Sequence, residues 1–521
     1  YLWIGDVFLY PHNTRTWDGG GADFFASTPA NWQGDVAPVP GDHIRLTTIG
    51  QKNMTWDMNM PVQTWIQSGY TGTVTVATVF GEYGFTNFTI LGDCVISNGA
   101  WTHMANPAGQ TEIYRLKAVV GGNLTIGSNA IISAYGIGFV HGYGPGYGVG
   151  GAYGGIGING YGSVPGGGRT YGSIVAPTNL GSGGNSYAGG EGGGLIWLTV
   201  GGALRHDGLV NADGLHGEYS RGSGGSVYLI AGSMSGSGGI RANGGTVTGH
   251  GPGGGGRVSL VVTNADEDFS WFTGPVSAYG GNNASAGTIY RETAYDPREK
   301  GELIIDNRGV VSYYNLPTDL NGIDAVTYEF TRIILTNCAV LSIGPDDTLI
   351  ATNGVFFGNG ANSFEGITLN GGSLFVRPDF AYSNFFIRTD VAGSTFSPAS
   401  SLTIAENAEL RLDQPHSMTC DVTVAAGGRI NHTANLSSHT EYYKADLSLA
   451  GNFIVEPGGL VDVSGRGFPS RYGPGMNTYS SGASHGGQGV NGNSCYGSIV
   501  FPTNLGSGAW DGGTGGGSVR M

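Results

Sequence analysis

The chain has 521 residues, and glycine accounts for 99 of them, roughly a fifth of the sequence where about 7 per cent is usual. Because 39% of the residues are hydrophobic and no Gly-X-Y period is present, the composition excludes both a disordered linker and a collagen-like fibre. Charged residues make up only 12% and the net charge is −15, so nucleic acid and anionic membranes are poor partners.

The first predicted element is an N-terminal β-rich module over residues 1–119. It contains an opening motif and two further short segments, which are rich in glycine, tryptophan, proline and asparagine. The segments are Trp17-Asp-Gly-Gly-Gly21, Asn31-Trp32, Pro40-Gly-Asp42 and Gly69-Tyr-Thr-Gly-Thr-Val74.

Residues 120–300 are predicted to form glycine-rich β-coils of about 31 residues. Short apolar strands follow glycine clusters at Leu195, Val227, Val258 and Ile289, which are 32, 31 and 31 residues apart. Short strands of this kind bury their inward side chains only when each coil stacks on the previous one. A second strand of the form apolar-x-Ala-x-Gly recurs at Ile132–Gly136, Val210–Gly214, Ile240–Gly244 and Val276–Gly280.

Residues 301–450 are predicted to form a β-rich module with shorter coils. The spacing tightens to 20 residues between Leu402 and Val422. Its clearest strands, each followed by a turn cluster, are Leu341–Ile343, Ile367–Leu369, Leu402–Ile404 and Val422–Val424.

Residues 451–521 are a partial repeat of the glycine-rich β-coils. Tyr496–Gly508 is identical to Tyr171–Gly183 at twelve of thirteen positions, and Tyr472–Gly475 repeats Tyr143–Gly146. The sequence therefore predicts an all-β fold with little or no α-helix, a right-handed parallel β-helix with glycine-rich loops. Residues 137–170 and 466–495 have little periodicity and are predicted to be long excursions from the stack.

Part of the sequence resembles a repeat of large secreted surface proteins that are glycine-rich right-handed parallel β-helices. The repeat has the form YGS-x-x-x-PT-x-LGSGG, then GGG-x-I-x-L-x-V-GG-x-L, then DG-x-I-x-A-x-G. Here it is carried by Tyr171–Gly184, Gly192–Leu204 and Asp207–Gly214, and the opening segments between residues 17 and 74 also resemble such proteins. Together these stretches cover about half the chain. The resemblance implies a cell-surface location and an adhesin-like or matrix-like role.

Some β-helices are polysaccharide lyases or hydrolases, so a catalytic groove is one alternative. Aligning the apolar-x-Ala-x-Gly strands places Asn211, Arg241 and Ser277 in one column. The other column contains Asp213, Asn243 and Tyr279. Because neither column repeats a carboxylate, the sequence predicts no catalytic residue and no cofactor.

Two acidic turns are calcium candidates, Asp266 with Asp268 and Asp346 with Asp347, because calcium takes oxygen ligands from flexible turns. Neither turn matches a calcium-loop motif, so a solvated acidic turn is the preferred interpretation and no metal site is predicted.

Asn-x-Ser/Thr sequences give glycosylation candidates at Asn283, Asn53, Asn87, Asn431 and Asn435, and the loop around Asn283 is the best placed. Of the four cysteines, Cys338 and Cys420 lie in apolar stretches and are predicted to be buried thiols, with a disulfide as the alternative. Nothing in the sequence decides the state of Cys94 and Cys495.

These patterns predict an extracellular or cell-surface structural protein, a subunit of a filament, stalk or surface matrix, with no catalysis. The alternatives are a carbohydrate-binding adhesin module and, after it, a polysaccharide lyase or hydrolase. The expected partners are further copies of the chain joined head to tail, and glycans. No apolar run of about 18 residues predicts a transmembrane segment. Because the chain starts without Met, and its second set of coils stops after Gly515-Gly-Gly517, we expect either a fragment of a longer polypeptide or an end covered by the next molecule.

Overall fold

The computed structural model describes residues 3–4, 7–8, 12–158, 168–185, 189–246, 251–309, 316–320, 322–357, 365–376, 380–382, 386–389, 393–476, 481–490 and 494–521. Within these residues the chain is all-β, with one short 3-10 helix, η1 (Pro29–Asn31), and no α-helix, as predicted. The chain divides into two compact units, Tyr1–Asp324 and Ala325–Met521. The predicted boundaries at residues 119 and 300 fall inside the first unit, and the boundary at 450 falls inside the second.

The first unit contains strands β1 to β20. In chain order they are β1 (Trp3–Ile4), β2 (Val7–Phe8), β3 (Thr14–Trp17), β4 (His43–Leu46), β5 (Met54–Trp56), β6 (Thr64–Gln67), β7 (Thr73–Val76), β8 (Phe88–Ile90), β9 (Cys94–His103), β10 (Leu116–Val120), β11 (Leu124–Ser133), β12 (Leu195–His206), β13 (Leu209–Asn211), β14 (Ser226–Ser235), β15 (Gly239–Arg241), β16 (Arg257–Val262), β17 (Val276–Ser277), β18 (Thr288–Glu292), β19 (Glu302–Asp306) and β20 (Thr318–Asp319).

Strands of successive coils in the first unit pair in parallel. Ile196 is in register with Val227, which is in register with Val258, and Val258 is in register with Ile289. The spacing is 31 residues at each step, so the predicted first interval of 32, counted from Leu195, is one residue too long. The apolar-x-Ala-x-Gly strands also pair in parallel, with Ile132, Val210, Ile240 and Val276 in register.

Strands β3 to β11 belong to the same sheet as the glycine-rich coils, whereas β1 and β2 form a separate antiparallel pair. Leu124 of β11 is in register with Cys94 of β9 on one side and with Leu204 of β12 on the other. The core changes character along the unit. Near the N-terminus it contains tryptophans packed edge to face, such as Trp65 at 5.4 Å from Trp56 and 5.5 Å from Trp101 between ring centroids. In the later coils it contains aliphatic side chains.

The last parallel strand of these coils, β18, has an antiparallel neighbour. Ile289 is in register with Ile304 of β19, and Arg291 is in register with Glu302. The chain therefore reverses direction at the turn after β18, which the 31-residue period does not indicate.

The second unit contains strands β21 to β39. In chain order they are β21 (Thr327–Phe330), β22 (Arg332–Thr336), β23 (Val340–Ile343), β24 (Thr348–Ala351), β25 (Val355–Phe357), β26 (Gly366–Leu369), β27 (Ser373–Val376), β28 (Phe380–Tyr382), β29 (Phe386–Thr389), β30 (Thr395–Pro398), β31 (Ser401–Ile404), β32 (Glu409–Leu412), β33 (His416–Met418), β34 (Asp421–Val424), β35 (Arg429–Asn431), β36 (Ala445–Leu449), β37 (Phe453–Val455), β38 (Leu460–Val461) and β39 (Val519–Arg520).

In the second unit, strands that are three places apart in chain order pair in parallel, for example β23 with β26 and β26 with β29. Strands β23, β26, β29, β32, β35 and β38 form one sheet, and β28, β31, β34 and β37 form another. Leu402 is in register with Val422, which confirms the predicted 20-residue step. The inward column of the first sheet is fully buried and consists of Leu341, Ile367, Ile387, Leu410 and Ile430.

A column of glycines sets the approach of successive coils in the first unit. A Cβ atom on Gly225 would lie 2.1 Å from the carbonyl oxygen of Gly194. On Gly256 it would lie 2.2 Å from the carbonyl oxygen of Gly225, and on Gly287 it would lie 1.8 Å from that of Gly256. None of these four glycines has a positive φ angle. They are therefore required by close contact between coils, and not by a left-handed backbone conformation.

A neighbouring column of glycines lies against the alanines of the apolar-x-Ala-x-Gly strands. A Cβ atom on Gly193, Gly224 or Gly255 would lie 2.0 Å from the carbonyl oxygen of Ala212, Ala242 or Ala278, respectively. The three alanines are at most 2% exposed, so the interior leaves little room for a larger side chain there.

We expect Gly256→Ala to lower the free energy of unfolding of the first unit by about 1–3 kcal/mol or more, because the new methyl group overlaps a backbone carbonyl. Gly239→Ala is the matched control, since a Cβ atom there would make an ordinary contact of 3.5 Å with Leu209. It should lower the same free energy by less than about 0.5 kcal/mol. Denaturant unfolding followed by circular dichroism measures both, and equal effects would contradict the contact argument.

Candidate functional site

The apolar-x-Ala-x-Gly strands of the first unit border a polar cleft with a volume of about 360 Å³. The registers confirm the column of Asn211, Arg241 and Ser277 that the alignment predicted. The residues of the second predicted column also line the cleft. The full lining is Tyr135, Asn211, Asp213, Gly214, His216, Arg241, Asn243, Gly244, Thr246, Tyr279, Gly280 and Arg308.

A ladder of side-chain oxygens forms the floor of the cleft. Oδ1 of Asn211 accepts the backbone N–H of Asp213 at 2.9 Å, and Oδ1 of Asp213 accepts that of Asn243 at 2.6 Å. Oδ1 of Asn243 in turn accepts the N–H of Tyr279 at 2.8 Å. Each bond after the first joins one coil to the next, so these side chains hold the strand ends in place.

Asp213 is the one carboxylate among the described residues that line the cleft. Its Oδ2 lies 2.8 Å from Nε of Arg241 in an ion pair. Burial raises the pKa of Asp213, and the Asn243 N–H and Arg241 oppose this rise. Both carboxylate oxygens thus have protein partners. The arrangement is suited to holding a ligand against a fixed polar surface.

Three side chains at the rim extend into solvent. Tyr135 is 36% exposed, and its ring lies 6.3 Å from that of His216, which is also exposed. The exposed Arg308 guanidinium lies 5.9 Å from the ring centre of Tyr279. Together with the half-buried Tyr279, these side chains give the rim two phenol rings, an imidazole and a guanidinium.

The repeat pattern placed Asp213, Asn243 and Tyr279 in one column, but no ligand site was predicted there. Tyr135, His216 and Arg308 were not singled out. Tyr135 and Tyr279 occupy the same place in two copies of Ser-Ala-Tyr-Gly, in Ile132–Gly136 and Val276–Gly280. That repetition was a detectable signal. By contrast, Arg308 lies after the reversed strand β19, and nothing in the repeat pattern places it here.

A second feature is a hydrogen-bonded framework that supports the glycine-rich loops of the first unit. The carboxylate of Glu112 accepts the backbone N–H of Leu180 at 2.6 Å, and the hydroxyl of Tyr171 donates to the carbonyl oxygen of Leu180 at 2.6 Å. The predicted excursion is packed here, because Ala152 and Tyr153 are fully buried.

The second unit repeats this framework with its own residues. Glu441 accepts the N–H of Leu505 at 2.8 Å, and the Tyr496 hydroxyl donates to the carbonyl oxygen of Leu505. Asn435 accepts the N–H groups of Tyr442 and Tyr443, as Asn106 accepts those of Ile113 and Tyr114. The internal repeat found in the sequence is thus also a repeat of individual hydrogen bonds.

One histidine in each unit is part of the framework. In the first unit, Nδ1 of His103 lies 2.8 Å from the carbonyl oxygen of Met104, and Nε2 lies 3.3 Å from the backbone nitrogen of Leu195. A neutral ring protonated on Nδ1 satisfies both contacts, because Nδ1–H donates and Nε2 accepts. His432 has the same arrangement, with Thr433 and Ser518 as its partners.

In the first acidic turn, the carboxylates of Asp266 and Asp268 accept hydrogen bonds from other residues of the chain. Asp266 has a φ angle of 65°, and its Oδ1 accepts the Tyr295 hydroxyl at 3.2 Å. Oδ1 of Asp268 accepts the backbone N–H of Ser270 at 2.8 Å and also its hydroxyl. These hydrogen bonds lower the pKa of Asp268.

In the second acidic turn Asp347 is almost fully buried, and its Oδ1 accepts the N–H of Val326 at 3.0 Å. Burial raises its pKa, while the hydrogen bonds from Val326 and Gly344 oppose the rise. Asp346 adopts a positive φ of 67°. Across the described residues, no three His, Cys, Asp or Glu side chains come close enough together to hold a metal ion.

Three glycosylation candidates are accessible to differing degrees. Asn283 and Asn53 are exposed, and Asn87 is half-buried. The Asn53 Oδ1 accepts the N–H of Thr73 at 2.9 Å, and Nδ2 of Asn87 donates to Thr89 at 2.8 Å. Glycan attachment at these positions stays a prediction.

The other two candidates are buried. Asn431 donates from Nδ2 to Glu409 at 2.9 Å, and Asn435 donates from Nδ2 to the carbonyl oxygens of Tyr443 and Arg466. Because a glycan is attached through this amide nitrogen, a glycan at either position does not fit the folded chain. The sequence pattern alone does not reveal burial.

All four cysteines are free thiols. Cys420 is buried as predicted, but Cys338 is only partly buried and lies at a turn with a φ angle of 67°. Cys94 is buried, which raises the pKa of its thiol, and Cys495 is exposed.

No protein-family model, curated protein sequence or solved structure matches this chain. Within its described part, no helix has the length and apolar character needed to span a bilayer.

We expect His103 to make the stability of the first unit depend on pH. Burial lowers the pKa of its imidazole to about 4, below the value near 6.5 of an exposed histidine. The unfolded chain therefore takes up the proton first, and stability falls as pH drops from about 6.5 to about 4, by up to roughly 3 kcal/mol. Above about pH 6.5 the imidazole is neutral in both the folded and the unfolded chain, so it does not change the free energy of unfolding with pH.

We expect His103→Gln to flatten this part of the stability profile of the first unit. The measurement is its free energy of unfolding at a series of pH values across that window. Exchange of the exposed His216 for Gln is the matched control and should keep the parent profile. An unchanged slope in His103→Gln would contradict the assignment.

Proposed function

We propose that the chain is an extracellular structural protein, a subunit of a filament, stalk or surface matrix, that acts without catalysis. In this proposal both units are right-handed parallel β-helices with glycine-rich loops. The observation that carries it is the parallel register of equivalent residues from coil to coil, as in Ile196, Val227, Val258 and Ile289.

The contacts between coils support a mechanical role. In a repeat fold each unit contacts mainly its neighbours, so stability accumulates along the stack. The glycine contacts at Gly225, Gly256 and Gly287 leave no room for a side chain between coils, which favours a stiff array of hydrogen-bonded strands.

The composition supports the location. With 12% charged residues, the surface is covered largely by Ser, Thr, Asn, Gly and Tyr, which suits proteins that pack into extracellular assemblies. The surface-repeat resemblance carried by Tyr171–Gly214 supports the same location.

Electron microscopy of the purified chain at near-neutral pH tests the structural role. We expect filaments or stalks with a regular axial repeat, and we expect Gly256→Ala to lose them while Gly239→Ala keeps them. Discrete particles at every protein concentration would contradict the role as an assembling subunit.

A carbohydrate-binding role is the second candidate, and the cleft favours it. Tyr135 and Tyr279 stand at the two ends of a column that also contains Asp213 and Asn243. Three strand spacings of about 4.8 Å separate the two tyrosines, so a ligand that touches both rings is an oligosaccharide and not a single sugar. Phenol rings can stack on sugar faces while the polar groups between them meet hydroxyls.

For this role we expect the chain to bind at least one oligosaccharide in a glycan array. Tyr135→Ala should weaken that binding about two- to tenfold in calorimetry, through loss of one stacking contact. Tyr83→Ala is the control, because Tyr83 is 87% exposed and does not line the cleft. Equal affinities for the two variants would contradict binding in the cleft.

A further inference from the structure

The cleft of the first unit has a charge balance opposite to that of the whole chain. The sequence has 38 Asp and Glu residues against 23 Lys and Arg residues, which gives a net charge of −15. The described lining of the cleft nevertheless contains two arginines, Arg241 and Arg308, and one carboxylate, Asp213. A cationic lining in an acidic chain indicates a surface suited to an anionic ligand.

The carboxylate of Asp213 presents little negative charge to a ligand. Its side chain is 15% exposed, whereas that of Arg241, its ion-pair partner, is 43% exposed. Both of its oxygens are engaged, Oδ1 with the N–H of Asn243 and Oδ2 with Nε of Arg241. Because Nε makes this contact, the two Nη groups of Arg241 are the donors left for a ligand.

A second carboxylate, that of Asp306, is also engaged with the protein. It accepts the backbone N–H of Arg308 at 2.8 Å and the hydroxyl of Tyr279. Asp306 is half-buried and is not part of the lining, whereas Arg308 is exposed and belongs to it. A ligand in the cleft therefore meets the guanidinium of Arg308 and not the carboxylate of Asp306.

The two arginines lie at one end of the cleft. Arg241 belongs to the third of the four successive coils that line it, and the guanidinium of Arg308 lies 5.9 Å from the ring centre of Tyr279 on the fourth. The four coils contribute, in order, Tyr135, Asp213, Asn243 and Tyr279.

The other end of the cleft is uncharged. The ring of His216 lies 6.3 Å from that of Tyr135, and its Nδ1 lies 2.9 Å from the backbone nitrogen of Thr246. A backbone N–H can only donate, so Nδ1 accepts this hydrogen bond and the imidazole has its single proton on Nε2. This end therefore offers a phenol ring and a neutral N–H donor.

We propose that the cleft binds an acidic oligosaccharide, with an anionic sugar unit against Arg241 and Arg308 and an uncharged unit against Tyr135 and His216. The anionic group is a carboxylate or a sulfate, because each presents a pair of oxygens that match the two parallel N–H groups of a guanidinium. This inference rests on the carbohydrate-binding role proposed as the second candidate function, and it names the ligand class of that same site.

The two guanidiniums are positioned before a ligand arrives. Arg241 is fixed by its ion pair with Asp213, and the backbone of Arg308 is tied to Asp306. A side chain that is already held loses less conformational entropy when it binds. Its hydrogen bonds to an anion are about twice as strong as those between neutral groups, so the charged unit contributes most to selectivity.

The test is an array of matched tetrasaccharide pairs, probed with the full chain at near-neutral pH. The acidic member of each pair has one terminal sugar with a carboxylate or a sulfate, and the neutral member is the same tetrasaccharide after carboxyl reduction or desulfation. We expect at least one acidic member to bind about tenfold more tightly than its neutral counterpart. The pairs that show this difference identify the group as carboxylate or sulfate.

Variants of the full chain then separate the two ends of the cleft by calorimetry. Arg308→Gln should weaken binding of the acidic member about tenfold and change that of the neutral member less than about twofold. Tyr135→Ala should weaken both members by the same factor. Arg45→Gln is the matched control, because it removes the same charge from an exposed arginine that does not line the cleft, and it should bind both members as the parent does.

Two results would overturn the proposal. One is an array in which no acidic member binds more tightly than its neutral counterpart. The other is an equal loss of affinity in Arg308→Gln and Arg45→Gln, because the net charge of the chain would then be responsible.

The same measurements distinguish this inference from the role on which it rests. Neutral members that bind as tightly as acidic ones, and are weakened by Tyr135→Ala, would keep the carbohydrate-binding role and contradict the acidic ligand. An acidic monosaccharide that binds through Arg308 as tightly as the tetrasaccharides would keep the anionic contact and contradict an oligosaccharide ligand.

Discussion

The rest of the structure depends on how closely a glycine of one coil approaches a carbonyl oxygen of the coil before it. At Gly225, Gly256 and Gly287 a Cβ atom would lie within 2.2 Å of that oxygen, so no side chain fits there. It fixes how near the coils approach, and so it fixes which strands can pair and which side chains face inward. The high glycine content is in large part a consequence of this packing between coils.

Polar groups are arranged to fit the same spacing. The oxygens of Asn211, Asp213 and Asn243 accept N–H groups at the strand ends, mostly from the next coil, and so satisfy backbone donors that a turn would otherwise leave unpaired. The buried imidazoles of His103 and His432 do the same at two further places, and remain neutral as they do so. In both the candidate ligand cleft and the interior framework, a side chain of one coil therefore accepts a hydrogen bond from a backbone N–H group of another.

Much of the strand arrangement could be predicted from the sequence, because a period of about 31 residues leaves a regular trace of apolar side chains. The parallel pairing of Val227 with Val258 follows from that period. The pairing of Leu402 with Val422 follows from the 20-residue spacing of the shorter coils in the second unit. Loops have no such period. The packing of Tyr153, the burial of Asn431 and Asn435, and the partial exposure of Cys338 depend on contacts with distant residues, which spacing does not encode. The two columns of residues that border the cleft could be aligned because they lie on the repeated strands, but a ligand site there was not predicted, and Arg308 lies outside the repeat.

The reversed strand β19 makes the two edges of the parallel coils in the first unit different. A parallel strand ladder can in principle grow by one more rung at its open edge, and an exposed edge invites such growth from any chain. By laying Glu302–Asp306 antiparallel along Thr288–Glu292, the protein covers that edge with its own backbone. The 31-residue parallel register therefore ends at β18, because a strand of opposite polarity occupies the position that a further coil would take.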